Sequence, residues 1–389
     1  MPGKRSVLRK QYLAGPPVEP MGFARGKRIG IVDLMDGWSR TGAFNGGRLA
    51  EAAAILKRMI EENATIALTL SGAMVPAGMG GVVRDLIRGG FIDFVISTGA
   101  NLYHDLHFAL ELTPRQGDAN ADDDELAEAG IERIYDVFIT EEILLRTDRF
   151  VQEAAADIPC EAPVSSARVH HALGKRVLRE TAKPQLSMLA AAAEYDVPVF
   201  TSSPGDSSIG MNLAAAKLRG GSLMVDCDLD VIETAAIVNA AAKNGVLEIG
   251  GGSPKNFYMQ TQPMLSQILG IDKGGHDYFV QITTDSPQWG GLSGATPQEA
   301  ISWGKISRGP RRRYAVVYCD ATIAFPLLGA YVLASCKKRR PRRLYARLDA
   351  LTKQLASHAK RISGAKGAGK ARRGQARSEG TWPCGRKRA

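Results

Sequence analysis

Val246-Leu247-Glu248-Ile249-Gly250-Gly251-Gly252-Ser253-Pro254-Lys255-Asn256 runs from an apolar segment of strand length into three glycines and on toward a helix pattern. A strand buried on both faces reads as a continuous apolar run rather than an alternating one, which is the habit of a parallel sheet. Glycines directly after such a strand let backbone approach a phosphate or a planar ligand with no side chain intervening. Taken alone, three glycines fit a tight turn equally well.

Working outward, the same pattern repeats. Apolar runs predict strands at Arg28–Leu34, Ile66–Leu70, Phe91–Ser97, Val197–Ser202, Leu223–Asp226, Val246–Ile249, Tyr278–Thr283 and Tyr314–Cys319. Helical periodicity predicts helices between them at Gly47–Asn63, Val82–Arg88, Asn101–Leu112, Glu141–Ala156, Gln185–Tyr195, Asp230–Lys243, Phe257–Leu269 and Ala321–Cys336. This order defines an α/β class, a Rossmann-like, doubly wound and mostly parallel sheet. Ligands of such sheets gather at the carboxyl ends of the strands, where this chain places small or acidic residues: Ser71-Gly72-Ala73, Ser97-Thr98-Gly99-Ala100, Thr201 through Asp206, Gly250–Gly252, Thr283-Thr284-Asp285 and Cys319-Asp320-Ala321. No G-x-G-x-x-G occurs, so the usual dinucleotide fingerprint is absent. Thr113–Asp124 reads as an exposed acidic loop.

The second informative stretch is Trp289-Gly290-Gly291-Leu292-Ser293-Gly294, continuing through Glu299 to Trp303-Gly304-Lys305-Ile306. It sets one lysine beside a tryptophan at the end of a short helix. An apolar aromatic wall desolvates an ammonium, disfavours the charged form and makes a nucleophilic amine available near neutral pH. A nucleotide cradle followed by such a lysine points to amine chemistry through an imine.

The composition is that of a globular enzyme, with 44% hydrophobic residues and 42 glycines in 389 residues. No apolar run is long enough for a membrane span and no signal segment is evident. Five scattered cysteines without a C-x-x-C pair predict reduced thiols, a cytoplasmic setting and no structural zinc. Of the 50 Lys/Arg and 40 Asp/Glu, 18 basic and 2 acidic residues fall between Lys337 and Ala389, a surplus of +16 that leaves −6 on the rest of the chain. A mildly acidic body suits a cationic substrate. The basic end predicts a low-complexity, disordered tail over 337–389, with Leu344–Ile362 as a short amphipathic helix and any nucleic-acid contact confined to the tail. The expected division is an N-terminal extension over 1–26, a catalytic domain over 27–336 and that tail.

Two further motifs carry less. Gly364 to Ala371 approaches a P-loop but ends in Ala and follows no strand, so it is not read as a nucleotide site. His104 and His107 lie one turn apart on a helix start; with no third ligand in sequence they read as polar pocket-wall residues, and no metal is expected.

The run Glu299-Ala300-Ile301-Ser302-Trp303-Gly304-Lys305-Ile306, followed by Val317-Tyr318-Cys319-Asp320-Ala321 and Phe325-Pro326-Leu327, resembles deoxyhypusine synthase. Gly250–Gly252 with Lys255, Val199-Phe200 through Asp206, and Asp93 to Thr98 fit the same family, over roughly Lys27 to Cys336. The resemblance implies an NAD-dependent aminoalkyl transferase of the EC 2.5.1 type, usually a homotetramer with active sites between subunits, acting on polyamines through a lysine Schiff base. By the same resemblance Lys305 is the covalent lysine, and Trp303, Glu299, His104, Asn256 and Trp289 are substrate positions. Thr98, Gly99, Asp206, Gly250, Gly251, Gly252, Thr284, Ser293 and Asp320 are then NAD positions.

The departures are specific. His104 stands where the authentic synthases carry glutamate, Asn256 where they carry histidine, Met211 and Leu292 where they carry the aspartates that hold the polyamine, and Trp289 lies near a further lost aspartate. The lysine and the NAD scaffold remain while partners of the substrate ammonium groups are gone, a pattern that resembles the deoxyhypusine synthase-like, bacterial-type branch. The implied acceptor is a small amine, as in homospermidine synthesis, rather than a protein lysine. The alternative is a catalytically altered NAD-binding protein that contacts RNA through its basic tail.

Overall fold

The computed structural model describes residues 2–26, 28–309 and 313–371. Nine strands lie among them: β1 Thr65–Leu70, β2 Phe94–Ser97, β3 Arg115–Gln116, β4 Ile131–Ile134, β5 Val137–Thr140, β6 Val199–Thr201, β7 Asn244–Ile249, β8 Tyr278–Thr283 and β9 Tyr314–Tyr318. Six form one sheet in the order β6-β2-β1-β7-β8-β9, and every pairing in it is parallel. The expected α/β class is therefore the observed one. Every residue of β1, β2, β7 and β8 is buried, which is why their sequences are unbroken in apolarity apart from a few polar residues that the interior must satisfy.

Connections run to one side from β1 through β2 to β6 and to the other side from β7 through β8 to β9, so strand order reverses between β1 and β7. Doubly wound sheets bind their ligands in the crevice at such a reversal. Here the crevice is walled by Ser71, just past β1, and Gly250, just past β7. The Ser71 hydroxyl donates to the Ile249 carbonyl (3.1 Å) and accepts from the Gly251 amide (2.8 Å), tying the two strand ends together.

Some expected elements differ. Arg28–Leu34 is not a strand: Asp33 accepts the Gly30 amide at 2.8 Å and starts a helix over Ile31–Thr41, with Ile31, Met35 and Trp38 at helical spacing on its packed side. Leu223–Asp226 supplies only a bridge from Val225 to Val164, because Asp226 caps the following helix Cys227–Ala240. The segment expected as an acidic loop contains β3 and the start of a small helix, Asp123–Glu128, whose N-cap is Asp122. Strands β3, β5 and β4 form a separate antiparallel sheet.

The largest correction concerns the basic end, because burial of structure does not stop at Cys336. Arg339 donates to the carbonyls of Gly90 (2.7 Å) and Ala64 (2.8 Å) and pairs with Asp93 at 3.1 Å, while Arg342 approaches the same carboxylate at 3.4 Å. Asp93 is itself buried and accepts the Ile66 amide, so these arginines close a polar cluster at the start of the sheet. Beyond them Leu344, Leu348, Leu351 and Leu355 are buried in the second core cluster together with residues of the helix Cys227–Ala240. Leu348, Leu351 and Leu355, spaced three and four residues apart, share one face of the helix Leu348–Ala371, and Leu344 lies just ahead of the 3-10 turn that leads into it. Positive charge there sits on a packed element. The expectation of disorder from Gly364 onward falls mostly outside the described residues. The N-terminal extension begins with a helix, Pro2–Tyr12, whose described side chains are exposed.

Candidate active site

Lys305 follows the helix Pro297–Ser302, which Thr296 caps by accepting the Glu299 amide and Pro297 opens from its first position. Gly304, at φ +66°, turns the chain so that Trp303 and Lys305 face each other, with the ammonium nitrogen 5.9 Å from the indole centroid. The Nζ atom also lies 3.4 Å from the Asn256 carbonyl oxygen. Burial lowers the proton affinity of Lys305 below that of an ordinary lysine, and the Glu299 carboxylate opposes this only in part.

Lys305, Trp303, Glu299 and Asn256 line one cavity of about 210 Å³ with Lys255, Met259, Phe279, Leu292, Ala295, Thr296 and Ala300. Four residues picked from sequence, 49 positions apart along the chain at their extremes, thus converge on one mostly apolar chamber that holds a single carboxylate. Trp289 and His104 lie elsewhere. Trp289 ends a short 3-10 turn and is 72% exposed. His104 lies on the helix Gly99–Ala109, where its Nδ1 is 2.9 Å from His107 Nε2, and His107 Nδ1 is 2.9 Å from Thr147. The two imidazoles bond each other rather than converge on a common ligand point. Thr147 spends its proton on the Ile143 carbonyl, so His107 donates to Thr147 and His104 donates to His107. Burial pushes His104 down to about 4 and His107 down to about 3, so both are neutral at physiological pH.

The glycine turn departs from a simple phosphate cradle. Gly250 donates its amide to the Ile282 carbonyl, Gly251 to Ser71 and Gly252 to Ser293, each at 2.8 Å. The glycines are required by backbone: Gly250 and Gly252 have φ of +77° and +56°. The turn therefore shows a ligand serine hydroxyls in place of its own amides. The neighbouring helix start at Thr98–Gly99 has no side-chain cap, which leaves its first amides open to an anion. Asp206, Thr284 and Asp320 are exposed near the carboxyl ends of β6, β8 and β9. Asp320 uses one oxygen to cap the helix Ala321–Ser335 through Thr322 (2.7 Å), and those bonds hold its carboxyl below the usual range. Open helix amides, hydroxyls and two accessible carboxylates along one sheet edge fit a dinucleotide: amides for phosphate, carboxylates for ribose hydroxyls.

Sequence reasoning named Lys255 only within the resemblance, without a role, and passed over Glu248. Lys255 is almost fully buried and donates to Gln281 Oε1 (2.9 Å) and the Ala295 carbonyl (2.7 Å), with the Ser293 carbonyl at 3.4 Å. Glu248, wholly buried in β7, lies 3.9 Å from it. The available signal was a glutamate inside an otherwise apolar strand.

A parallel sheet with a dinucleotide-type edge and a desolvated lysine in an adjoining chamber fits the class of enzyme that sets an amine nucleophile beside a dinucleotide. Comparison with known proteins narrows it: the deoxyhypusine synthase family model matches residues 33–332, and the chain belongs to that family. It is 46% identical over 373 residues to a deoxyhypusine synthase-like protein of Nostoc punctiforme, covering 92% of this chain and 94% of the relative. It is 44% identical over 303 residues to the Methanosarcina acetivorans protein named "Probable deoxyhypusine synthase 2", covering 78% and 86% respectively. A crystal structure from Entamoeba histolytica, designated a deoxyhypusine synthase, superposes with a TM-score of 0.56 at 18% identity over 82% of this chain and 98% of that one, a likeness of fold. The family consists of NAD-dependent aminobutyl transferases, and NAD is its cofactor.

Proposed function

We propose that this chain transfers an aminoalkyl group between small polyamines, with Lys305 as the covalent carrier and a small amine, as in homospermidine formation, as acceptor. The observation that carries the reading is the chamber itself: Lys305, Trp303, Glu299 and Asn256 share it, and its apolar walls desolvate the lysine. NAD, bound at the strand ends, supplies the hydride acceptor that makes the donor an imine and the hydride that reduces the product. The unprotonated Lys305 amine adds to the imine carbon, the donor's departing amine leaves with the proton that lysine gives up, and the alkyl group stays on Nζ as a Schiff base. An incoming amine then adds to the same carbon and expels Lys305. Glu299 is the carboxylate available to a terminal ammonium, Trp303 packs the methylene chain, and the Asn256 carbonyl orients Nζ. The family's aspartates are replaced by Met211 and Leu292, which favours a substrate with fewer cationic contacts than a protein-lysine acceptor complex. A homotetramer in the cytoplasm is the corresponding setting; exposed Met211, Leu218 and Trp289, and four free thiols among the described residues, agree with it. Among the described residues no helix is long and apolar enough to cross a membrane.

The test is incubation of the full-length protein with NAD and a panel of putrescine, spermidine and related amines, with borohydride added during turnover. An aminoalkyl mass on the Lys305 peptide is expected. Lys305→Ala and Lys305→Arg are expected to be inactive, the latter because guanidinium keeps its proton. Turnover without the adduct, or full activity in Lys305→Ala, overturns the reading.

A further inference from the structure

The chamber holds a second lysine, and its protonation can be counted from its partners. Gln281 is oriented by its amide nitrogen, which donates to the carbonyls of Gly250 (2.9 Å) and Ser293 (2.8 Å). Its Oε1 must then accept, and it faces Lys255 at 2.9 Å. Together with the carbonyls of Ala295 and Ser293 this gives Lys255 Nζ three acceptors. Three acceptors and no donor match an ammonium, which has three N–H bonds, better than an amine, which has two. The face of Phe279, 5.6 Å away, adds a further site of negative potential.

Glu248 is the obvious counter-charge, yet neither of its oxygens has a hydrogen-bond partner among the described residues, and 3.9 Å to Lys255 is beyond hydrogen-bond range. A buried carboxylate without donors is costly, and burial pushes Glu248 up to about 8, toward the neutral acid. The pair then carries net positive charge. Burial works against a proton on Lys255 too, and Lys305 adds to that, while Glu248, Glu299 from the short helix and Asp285 from the loop after β8 oppose it; Lys305 in turn is lowered by burial against Glu299, so the hydrogen-bond partners decide which lysine keeps its proton.

We infer that Lys255 is a positioning residue for the nucleophile: a fixed, buried cation on the chamber wall that keeps Lys305 in its free-amine form. Two lysines in one low-dielectric chamber do not both hold a proton readily, and the one with acceptors at 2.7 and 2.9 Å and a third at 3.4 Å keeps it, whereas Lys305 has only the Asn256 side-chain oxygen at 3.4 Å. The role given to Lys305 rests on the function proposed above; the coupling between the two lysines does not.

The experiment is pH-dependent acetylation of the intact full-length protein by acetic anhydride, followed by mass spectrometry of the Lys305 peptide with exposed Lys217 as internal reference. The plateau rate reports access to Lys305 and the midpoint reports its proton affinity. Lys255→Met is expected to move the Lys305 midpoint upward by about one pH unit while the plateau is kept. Should that variant fail to fold with Glu248 left alone, the double variant Lys255→Met/Glu248→Leu removes both polar groups together, and the same upward shift is expected. An unchanged midpoint in whichever variant folds overturns the inference. A shifted midpoint without any borohydride adduct leaves the coupling standing and removes only the covalent role of Lys305.

Discussion

The Cα of Ser293 stands 2.4 Å from where a Cβ on Gly251 would be placed. Gly251 has an extended φ of 177°, so no left-handed conformation demands glycine there. The demand is steric, and the opposing atom is backbone, which cannot swing aside. Ser293 also receives the Gly252 amide, so the loop preceding the helix Pro297–Ser302 is seated directly on the turn after β7. Gly251→Ala should push these apart. The expected cost is about 1–3 kcal/mol of stability, as for overpacking elsewhere, with weaker NAD binding because both partners border the sheet edge. Denaturant unfolding and calorimetric NAD titration check it. Wild-type NAD affinity in a measurably destabilised variant would show that the cofactor does not depend on this seat.

The basic C-terminal segment should be divisible. Truncation after Cys336 removes the arginines around buried Asp93 and the buried leucines from Leu344 to Leu355. Leaving a buried carboxylate without its partner costs about 3–5 kcal/mol, and each lost core leucine adds about 2 kcal/mol or more of burial. That truncation is expected to give insoluble or strongly destabilised protein, whereas truncation after Ile362 keeps every one of these contacts. Thermal melts of the two forms decide it: equal stability would mean that the segment packs without contributing. Arg339→Ala isolates the electrostatic part and is expected to lower stability on its own.

Legibility from sequence followed how local the signal was. The main sheet was readable because β1, β7 and β8 are continuous apolar runs whose meaning does not depend on their neighbours. Lys305, Trp303 and Glu299 were readable as a unit because they fall within seven residues. Lys255 and Glu248 were not, since their approach needs the glycine turn to fold the helix Gly252–Met259 back across the sheet, and Gln281 arrives from another strand. The helix Ile31–Thr41 was mistaken for a strand because its first residues are apolar and the capping role of Asp33 shows only in three dimensions. In the basic tail, the sheer number of charges hid a buried leucine stripe. Trp289 rested on the resemblance and His104 on the resemblance and its spacing to His107, and neither lines the chamber of Lys305.

Buried neutral histidines should leave a signature in acid. His170 is wholly buried, donates to the Val199 carbonyl at 2.8 Å and is pushed down to about 4 by burial. Its folded pKa lies below the unfolded value of about 6.5, so its contribution is intact above pH 6.5 and is lost as pH falls toward 4. His107 and His276, both pushed down to about 3, act in the same sense. Buried acids act oppositely: Asp105 is raised to about 6 and Asp230 to about 7, so they favour the folded state as pH falls through that range. The wild-type profile is therefore a compensated one, and the informative quantity is a difference. His170→Asn keeps the donor but cannot titrate; relative to wild type it should gain up to about 1.4 kcal/mol per pH unit between pH 6.5 and 4. Parallel urea-stability curves for the two proteins would show that His170 titrates normally in the fold.

Leu292 lines the chamber and is 48% exposed, and by the resemblance to the authentic synthases it takes the place of an aspartate that holds the polyamine. Its side chain can therefore be replaced by a charge without burying that charge. Leu292→Asp would give the chamber a second carboxylate beside Glu299, on a wall reached by the same ligand. A triamine such as spermidine should then bind about 5–30-fold more tightly, the range expected for one added, partly solvated ion pair, with the gain shrinking at high salt. A monoamine that already uses Glu299 should gain little, so the ratio of the two affinities is the diagnostic. Direct binding by calorimetry in the presence of NAD reads it without requiring turnover. If the triamine and the monoamine respond alike, or neither responds, the chamber of Lys305 is not where the polyamine lies.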